Sequence, residues 1–297
     1  MLSRAMKRSL SIVGAGRVGR TLGKRLHRLG WRIGAVVTRS AATSRIAVRE
    51  IGAGKPYSWL VPEVFDSNLI LLAVPDGAIG GVADALAKFD QTKLRGKIVL
   101  HTSGALDRAV LAPLARRGAS TGSIHPMQTF TGRGAPKLEK VVFAVEGDRS
   151  AAILARKIAR SLSGVPVTIS SKNKPAYHAA GALVAGHGLG LIEAATRVLL
   201  RLGFSRRHAT RALLPLMRQM LDNFEWLGPL ESWTGPVSRG DFATVAKHKK
   251  ALRAYPREFE DAYAALALLA SRVLSKNTAA ASKQLKHALR KSRGGKS

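Results

Sequence analysis

The sequence predicts a doubly wound α/β domain with a mainly parallel sheet, followed by an all-α domain. Three observations carry that expectation. Short apolar runs alternate with helical patterns over residues 1–170, a glycine-rich turn joins the first run to the first helix, and from Lys174 onward the apolar period becomes that of long helices.

The elements follow in order. SLSIV (9–13) reads as a buried strand, GAGRVG (14–19) as a turn, and RTLGKRLHRLG (20–30) as a helix with Leu22, Leu26 and Leu29 on one face. IGAVVT (33–38), LILLAVP (69–75), KIVLHTS (97–103), SIHP (123–126), VVFAVEG (141–147) and VPVTIS (165–170) read as further strands, with helical patterns between most of them. Strands alternating with helices imply crossover units and a sheet covered on both faces. Long helices are predicted over 175–203, 205–228, 239–253 and 256–275. The expected domains are 1–170, 171–275 and a basic tail, 276–297, partly disordered.

The chain has 297 residues, 46% of them hydrophobic, and a mean hydropathy of +0.01, which fits a folded protein with room for more than one core. It has no cysteine, which excludes disulfides, thiolate metal sites and a cysteine nucleophile and agrees with a reducing, cytoplasmic setting. The formal charge is +31. Residues 1–49 hold twelve Lys/Arg and residues 272–297 hold eight, with no acid in either stretch, so the excess gathers at the two ends. Those ends lack interleaved aromatics or a nucleic-acid motif, which argues against a nucleic-acid partner. The uncharged run 179–192 is shorter than the ~18 apolar residues of a membrane span. Its glycine and alanine content instead suits close backbone packing in a homodimer. No histidine pair has metal-ligand spacing, so no metal site is expected.

In GAGRVG, Gly14 suits the tight turn, Gly16 lets backbone approach a pyrophosphate, and Gly19 lets helix pack on strand; Ala15, Arg17 and Val18 complete the cradle. A strand before it and a helix after it make this a Rossmann dinucleotide site, with phosphates at the helix N-terminus. The acid that would accept from a ribose 2′-OH about 20 residues on is missing. Thr38, Arg39 and Ser40 stand there instead and suit a 2′-phosphate, so the expected cofactor is NADP(H). The loops after later strands should line the same cleft: Val74, Pro75 and Asp76; His101, Thr102, Ser103 and Gly104; and His125, Met127, Gln128, Thr129 and Phe130. Of these, His125 and Gln128 are expected to touch substrate.

The residues GAGRVG, LAVPD, HTSGAL (101–106), IHPMQTF (124–130), KPAYHAA (174–180) and GPVSRGD (235–241), in that order over about residues 8–265, resemble the Rossmann-like proteins with a helical DUF2520 domain. That family is similar to pyrroline-5-carboxylate reductase and to the 6-phosphogluconate and 3-hydroxyisobutyrate dehydrogenases. The resemblance implies a nicotinamide-binding domain and a helical, dimer-forming domain like the C-terminal domain of 6-phosphogluconate dehydrogenase. In the hydroxyacid dehydrogenases a lysine opening the first long helix acts in proton transfer, with an amide one turn later; Lys174 and His178 occupy comparable places. The family's usual asparagine nine residues after that histidine is replaced here by His187.

Lys174 and His178, spaced i, i+4, share one helix face and are the expected catalytic acid–base pair. Arg239 can grip a carboxylate, and Asp241 can hold Arg239 or cap the next helix. The expected activity is NADP(H)-dependent hydride exchange with a small carbonyl, imine or hydroxy acid. The alternative is a cofactor-sensing module without turnover, its basic ends contacting an anionic partner.

Overall fold

The computed structural model describes residues 8–275 and 278–291 apart from Asp90, Arg133 and Ala135. Two compact units divide at residue 187, Met1–His187 and Gly188–Ser297.

The first unit is built on one eight-stranded sheet: β1 (Ser9–Val13), β2 (Arg32–Val37), β3 (Lys55–Tyr57), β4 (Leu69–Leu72), β5 (Ile98–His101), β6 (Ser120–Pro126), β7 (Val142–Gly147) and β8 (Val165–Thr168). Their spatial order is 3-2-1-4-5-6-7-8, parallel throughout except that β7 runs antiparallel to β6. Every residue of β1, β4 and β5 is buried, as strands covered on both faces require.

Alternate residues feed two core layers. Leu10, Ile12, Leu69, Leu71 and Leu100 point to one side, where α1 (Arg17–Arg28) and α2 (Ala41–Ile51) supply Leu22, Leu26, Ala47 and Ile51. Val13, Ile70, Leu72 and Val99 point to the other, where α3 (Asp76–Ala87) and α4 (Ala112–Ala115) supply Ile79, Leu86 and Leu114. The helix α5 (Arg149–Ser161) returns to the first side with Leu154 and Ile158. The two-residue side-chain period of the strands is thus what assigns each aliphatic residue to its layer.

The predicted helix over 175–203 is three pieces: α6 (Lys174–Ala182), a π-helical turn at Leu183–His187, and α7 (Gly188–Arg201). The unit boundary falls inside this stretch rather than near residue 170, because Lys174 and its neighbours bond into the sheet unit.

In the second unit α7 packs along α8 (Arg206–Glu231), which Ser205 caps and Gly228, at φ 77°, breaks. The remaining helices, α9 (Phe242–Leu252), α10 (Arg257–Leu274) and α11 (Thr278–Lys291), gather around Val245, Ala267, Leu285 and Leu289. Lys249, buried in this cluster, pairs with Glu260 at 3.0 Å and donates to the Leu289 carbonyl at 2.7 Å, tying the three helices together. Part of the expected basic tail is therefore a docked helix; residues 276, 277 and 292–297 lie outside the described residues.

No Asp, Glu, Lys or Arg stands between Lys174 and Glu193, so the uncharged run extends beyond 179–192. The helical segment around it, Ser171–Arg201, does reach the length and apolar composition of a membrane span, with a mean hydropathy of 1.3 and 6% of that window buried. Lys174, at its start, is nonetheless fully buried.

Candidate functional site

The carboxyl ends of β1, β2, β4, β5 and β6 carry the candidate site, as expected for an open parallel sheet. Gly14 adopts φ +89°, and a Cβ there would stand 2.5 Å from Val74 Cγ1. A Cβ on Gly19 would stand 2.6 Å from the Gly14 carbonyl. Gly16 differs: a Cβ there would meet nothing within 4 Å, so it faces open space at the N-cap of α1, with no side chain capping the helix. Two glycines close the turn and the third leaves room above uncapped N–H groups, an arrangement that fits a pyrophosphate.

At the end of β2 the hydroxyls form a cluster. Thr38 Oγ1 lies 2.7 Å from Thr43 Oγ1, Ser40 Oγ lies 2.8 Å from the same atom, and the Thr43 N–H donates to Ser40 Oγ, capping α2. Arg39 is exposed beside them. A cation, three hydroxyls and a helix N-terminus suit a 2′-phosphate and offer no acceptor carboxylate to a 2′-OH. Thr43 was not among the expected residues; its signal was the Ser40-x-x-Thr43 capping spacing.

Around Ser103 the bonds are dense. Ser103 Oγ donates to Asp76 Oδ2 at 2.8 Å and accepts from the Ala105 and Leu106 N–H groups. The Ser103 N–H donates to His101 Nδ1 at 3.2 Å, so the ring proton sits on Nε2, 3.1 Å from the Asp107 carbonyl. Both nitrogens of His101 are spent inside the protein. Burial, then the nearby Lys174 charge, lowers its pKa to about 4, so it is a neutral structural residue.

Lys174 departs from expectation. Its side chain is fully buried, and Nζ donates to Ser123 Oγ at 2.7 Å and to the Ser103 carbonyl at 3.1 Å. Glu146, also buried, accepts from the Arg108 N–H at 2.9 Å and from Ser171 Oγ at 3.2 Å. Burial lowers the lysine pKa while Glu146 pulls it back up. Lys174 thus pins the 103–106 turn to β6 instead of facing a cleft.

His178 is exposed, and its ring centroid lies 5.8 Å from that of His125. His125 Nδ1 lies 3.0 Å from Tyr177 Oη. Burial and then the charge of His178 lower the His125 pKa to about 4, and burial pushes Tyr177 up to about 12. Both are neutral near pH 7, and donation of the phenol O–H to Nδ1 would leave the imidazole proton on Nε2. A Cβ on Gly104 would stand 2.8 Å from that Nε2 and 2.7 Å from His178 Cδ2, so the two imidazoles meet over this glycine. The structure therefore brings His125, His178, Asp76, Ser103 and Gly104 together, adds Tyr177, and sets Lys174 behind them.

Other expected residues stand apart. Gln128 is tied within its own loop, its Oε1 accepting from the Thr129 N–H at 2.8 Å. Arg17 Nη1 donates to the Phe130 carbonyl at 3.4 Å, drawing that loop toward the glycine turn. In the helical unit, Asp241 Oδ1 accepts from the Thr244 N–H at 3.1 Å and caps α9, while Arg239 is exposed; His187, the last residue of the sheet unit at the end of the π-helical turn, is exposed as well. Among the described residues no group of three or more His, Asp or Glu could hold a metal ion.

Comparison with known proteins agrees with this architecture. Residues 3–126 match the model of a Rossmann-like domain and residues 141–270 that of a domain of unknown function, DUF2520. No curated protein matches. Among solved structures, BF3122 of Bacteroides fragilis, named as a proposed NADP oxidoreductase, is 22% identical over 88% of this chain and 96% of its own, with a TM-score of 0.71. TM1727 of Thermotoga maritima is 25% identical over 96% of this chain and 99% of its own, with a TM-score of 0.66. A reductive aminase of Aspergillus terreus, solved with NADPH and ethyl levulinate, is 19% identical over 95% of this chain and 99% of its own, also with a TM-score of 0.66. The chain thus joins a Rossmann-like domain to a DUF2520 domain.

Proposed function

We propose that this protein is an NADP(H)-dependent oxidoreductase acting on a small carbonyl, imine or hydroxy acid. The observation that carries this reading is the pairing, at one end of one sheet, of a glycine cradle ending in Thr38, Arg39, Ser40 and Thr43 with the two imidazoles over Gly104. The NADPH bound by the similarly folded reductive aminase supports it.

Gly14, Gly16 and the start of α1 would hold the pyrophosphate, and Arg39 with its hydroxyl neighbours the 2′-phosphate. Bound NADPH would supply the hydride. A carbonyl or imine that gains a hydride at carbon needs a proton at oxygen or nitrogen, and the exposed His178, beside His125, is the proposed route for it. Lys174 positions the turn under them. Arg239 is the proposed grip for a substrate carboxylate.

Fluorescence titration tests the cofactor. NADPH should bind more tightly than NADH, and Arg39→Ala should weaken NADPH by about 10–100-fold, the loss expected of a hydrogen bond to a charged group, with NADH unaffected. Equal affinities in the unaltered protein would remove the assignment.

A second copy of this chain is the proposed partner. Leu189, Leu216 and Trp226 on α7 and α8, and Leu202 just beyond α7, are each more than 60% exposed, and a helix pair this bare needs a cover. Another protein surface suits it better than a bilayer, because the same helical stretch begins at a lysine sealed among serine and backbone oxygens.

A further inference from the structure

The sheet unit leaves one large aromatic side chain bare. Trp59 is 68% exposed, whereas every other Phe, Tyr or Trp described in this unit is buried or half-buried. Tryptophan is among the side chains that gain most from leaving water, so an indole held out on an anchored loop marks a contact that the chain itself does not make. The loop is anchored at both ends. Before it, Tyr57 ends β3, pairs with Val37 of β2, and accepts from the Thr38 N–H through its carbonyl at 3.0 Å. Beyond it, Leu60 packs against the second core layer and Val61 is buried in it.

The position in the sheet says what that contact is. β3 is the edge strand beside β2 and runs parallel to it, so residues 58–60 emerge at the same carboxyl end as Thr38, Arg39 and Ser40. Adjacent strands lie about 4.8 Å apart, and Arg39 and Trp59 each stand two residues past the paired Val37 and Tyr57. The proposed cofactor crosses these ends in one direction, with its pyrophosphate at Gly14 and Gly16 beyond β1 and its 2′-phosphate at the hydroxyl cluster beyond β2. In NADP(H) the adenine is bonded to ribose C1′, the carbon next to the one that carries the 2′-phosphate. The next step outward from β1 and β2 is β3, and the indole stands at its end. Bases stack on aromatic side chains whatever their hydrogen-bonding edges, and an indole offers a broad flat face for it.

We infer that Trp59 is the adenine platform of the dinucleotide site, its indole lying against one face of the base while Arg39 takes the 2′-phosphate. This rests on the dinucleotide reading and adds a residue that acts on a part of the cofactor common to NADPH and NADH. Trp59 therefore sets affinity for both, and Arg39 the choice between them.

The test titrates three probes into the full chain by calorimetry: NADPH, NADH, and adenosine 2′,5′-bisphosphate, which keeps the base and the 2′-phosphate without the nicotinamide. Trp59→Ala should weaken all three by about 5–100-fold, the range expected for loss of one base–aromatic stack. The ratio of NADPH to NADH affinity should stay unchanged in that variant and change in Arg39→Ala. Trp59→Phe should keep most of the affinity. The bisphosphate should quench the indole emission of the unaltered protein, and Trp59→Phe should lose that quenching. Unchanged affinities in Trp59→Ala overturn the inference while the dinucleotide site stands. A loss confined to NADPH also overturns it, since the indole would then serve the phosphate and not the base. So does a fall in assembly mass with all affinities kept, which would put Trp59 between two copies of the chain. If the unaltered protein binds none of the three probes, the dinucleotide reading falls and this one with it.

Discussion

The two units solve the problem of burial differently. The sheet unit carries two layers of aliphatic side chains packed to near-zero exposure on either face of its strands. The helical unit has a single small cluster of four buried apolar residues among those described, and along the 26 residues of α8 only Ala209 is buried. One unit buries its aliphatic side chains on both faces of a sheet, and the other leaves large apolar side chains such as Leu216 and Trp226 exposed. The difference separates binding from assembly: the cofactor cradle and the imidazole pair lie in the first unit, whereas the second is the unit proposed to take a second copy as its cover.

The largest effect should come from attacking that cover. Leu216→Asp with Trp226→Asp should convert a dimer to a single chain of 31.7 kDa, read by light scattering, while NADPH affinity persists. A mass unchanged by the pair of substitutions would break the contrast between the units.

Acid should act on the sheet unit instead. His101 and His125 have folded pKa values of about 4 against an ordinary 6.5. The unfolded chain therefore binds more protons between those values, and stability is greatest above pH 6.5, falls as pH drops, and is lost to this cause by about pH 4. Each histidine contributes up to about 3 kcal/mol over that window. Urea denaturation at pH 7.5 and 4.5 should show the drop, and His101→Gln, which keeps a neutral donor, should make it shallower.

Lys174→Met tests the pin. Ser123 Oγ and the Ser103 carbonyl would each lose a buried donor, at a cost of about 1–3 kcal/mol apiece. Denaturation midpoints should fall accordingly, and hydrogen exchange should rise at residues 103–106 while the helical unit keeps its protection.

The smallest effect belongs to Gly104→Ala. The added methyl would press on the His125 and His178 rings, which can yield only by shifting, at about 1–3 kcal/mol. The ring resonances of both histidines should move, and unmoved resonances would mean the imidazoles do not meet there.

Much of the sheet unit was legible because its signals are local. The glycine spacing, the apolar runs of β1, β4 and β5 and the missing ribose acid all lie within short windows. Other features were hidden by distance or size. His125 and Tyr177 are 52 residues apart, and nothing in either segment announces the bond. β3 is three residues with a proline at the sheet edge, too short to register as a run. The change of period puts the unit boundary near 170, but α6 begins inside the sheet unit and the chain leaves it through a π-helical turn whose one glycine, Gly186, is lost among the other glycines of the 179–192 run. Lys174 was read from its position on a helix face; only the fold shows that this face is turned inward against Ser103 and Ser123.

Sealing of that amine turns it into a clock. An acylating reagent modifies lysines in proportion to the time each spends exposed, and Lys174 has no exposure in the closed form. Its labelling rate, read by mass spectrometry against the many surface lysines of the same molecule, therefore measures how often the turn beneath the imidazoles springs open. A ligand that seats on that turn would slow the clock, and one that seats elsewhere would leave it running, so a single amine reports occupancy without any knowledge of the reaction.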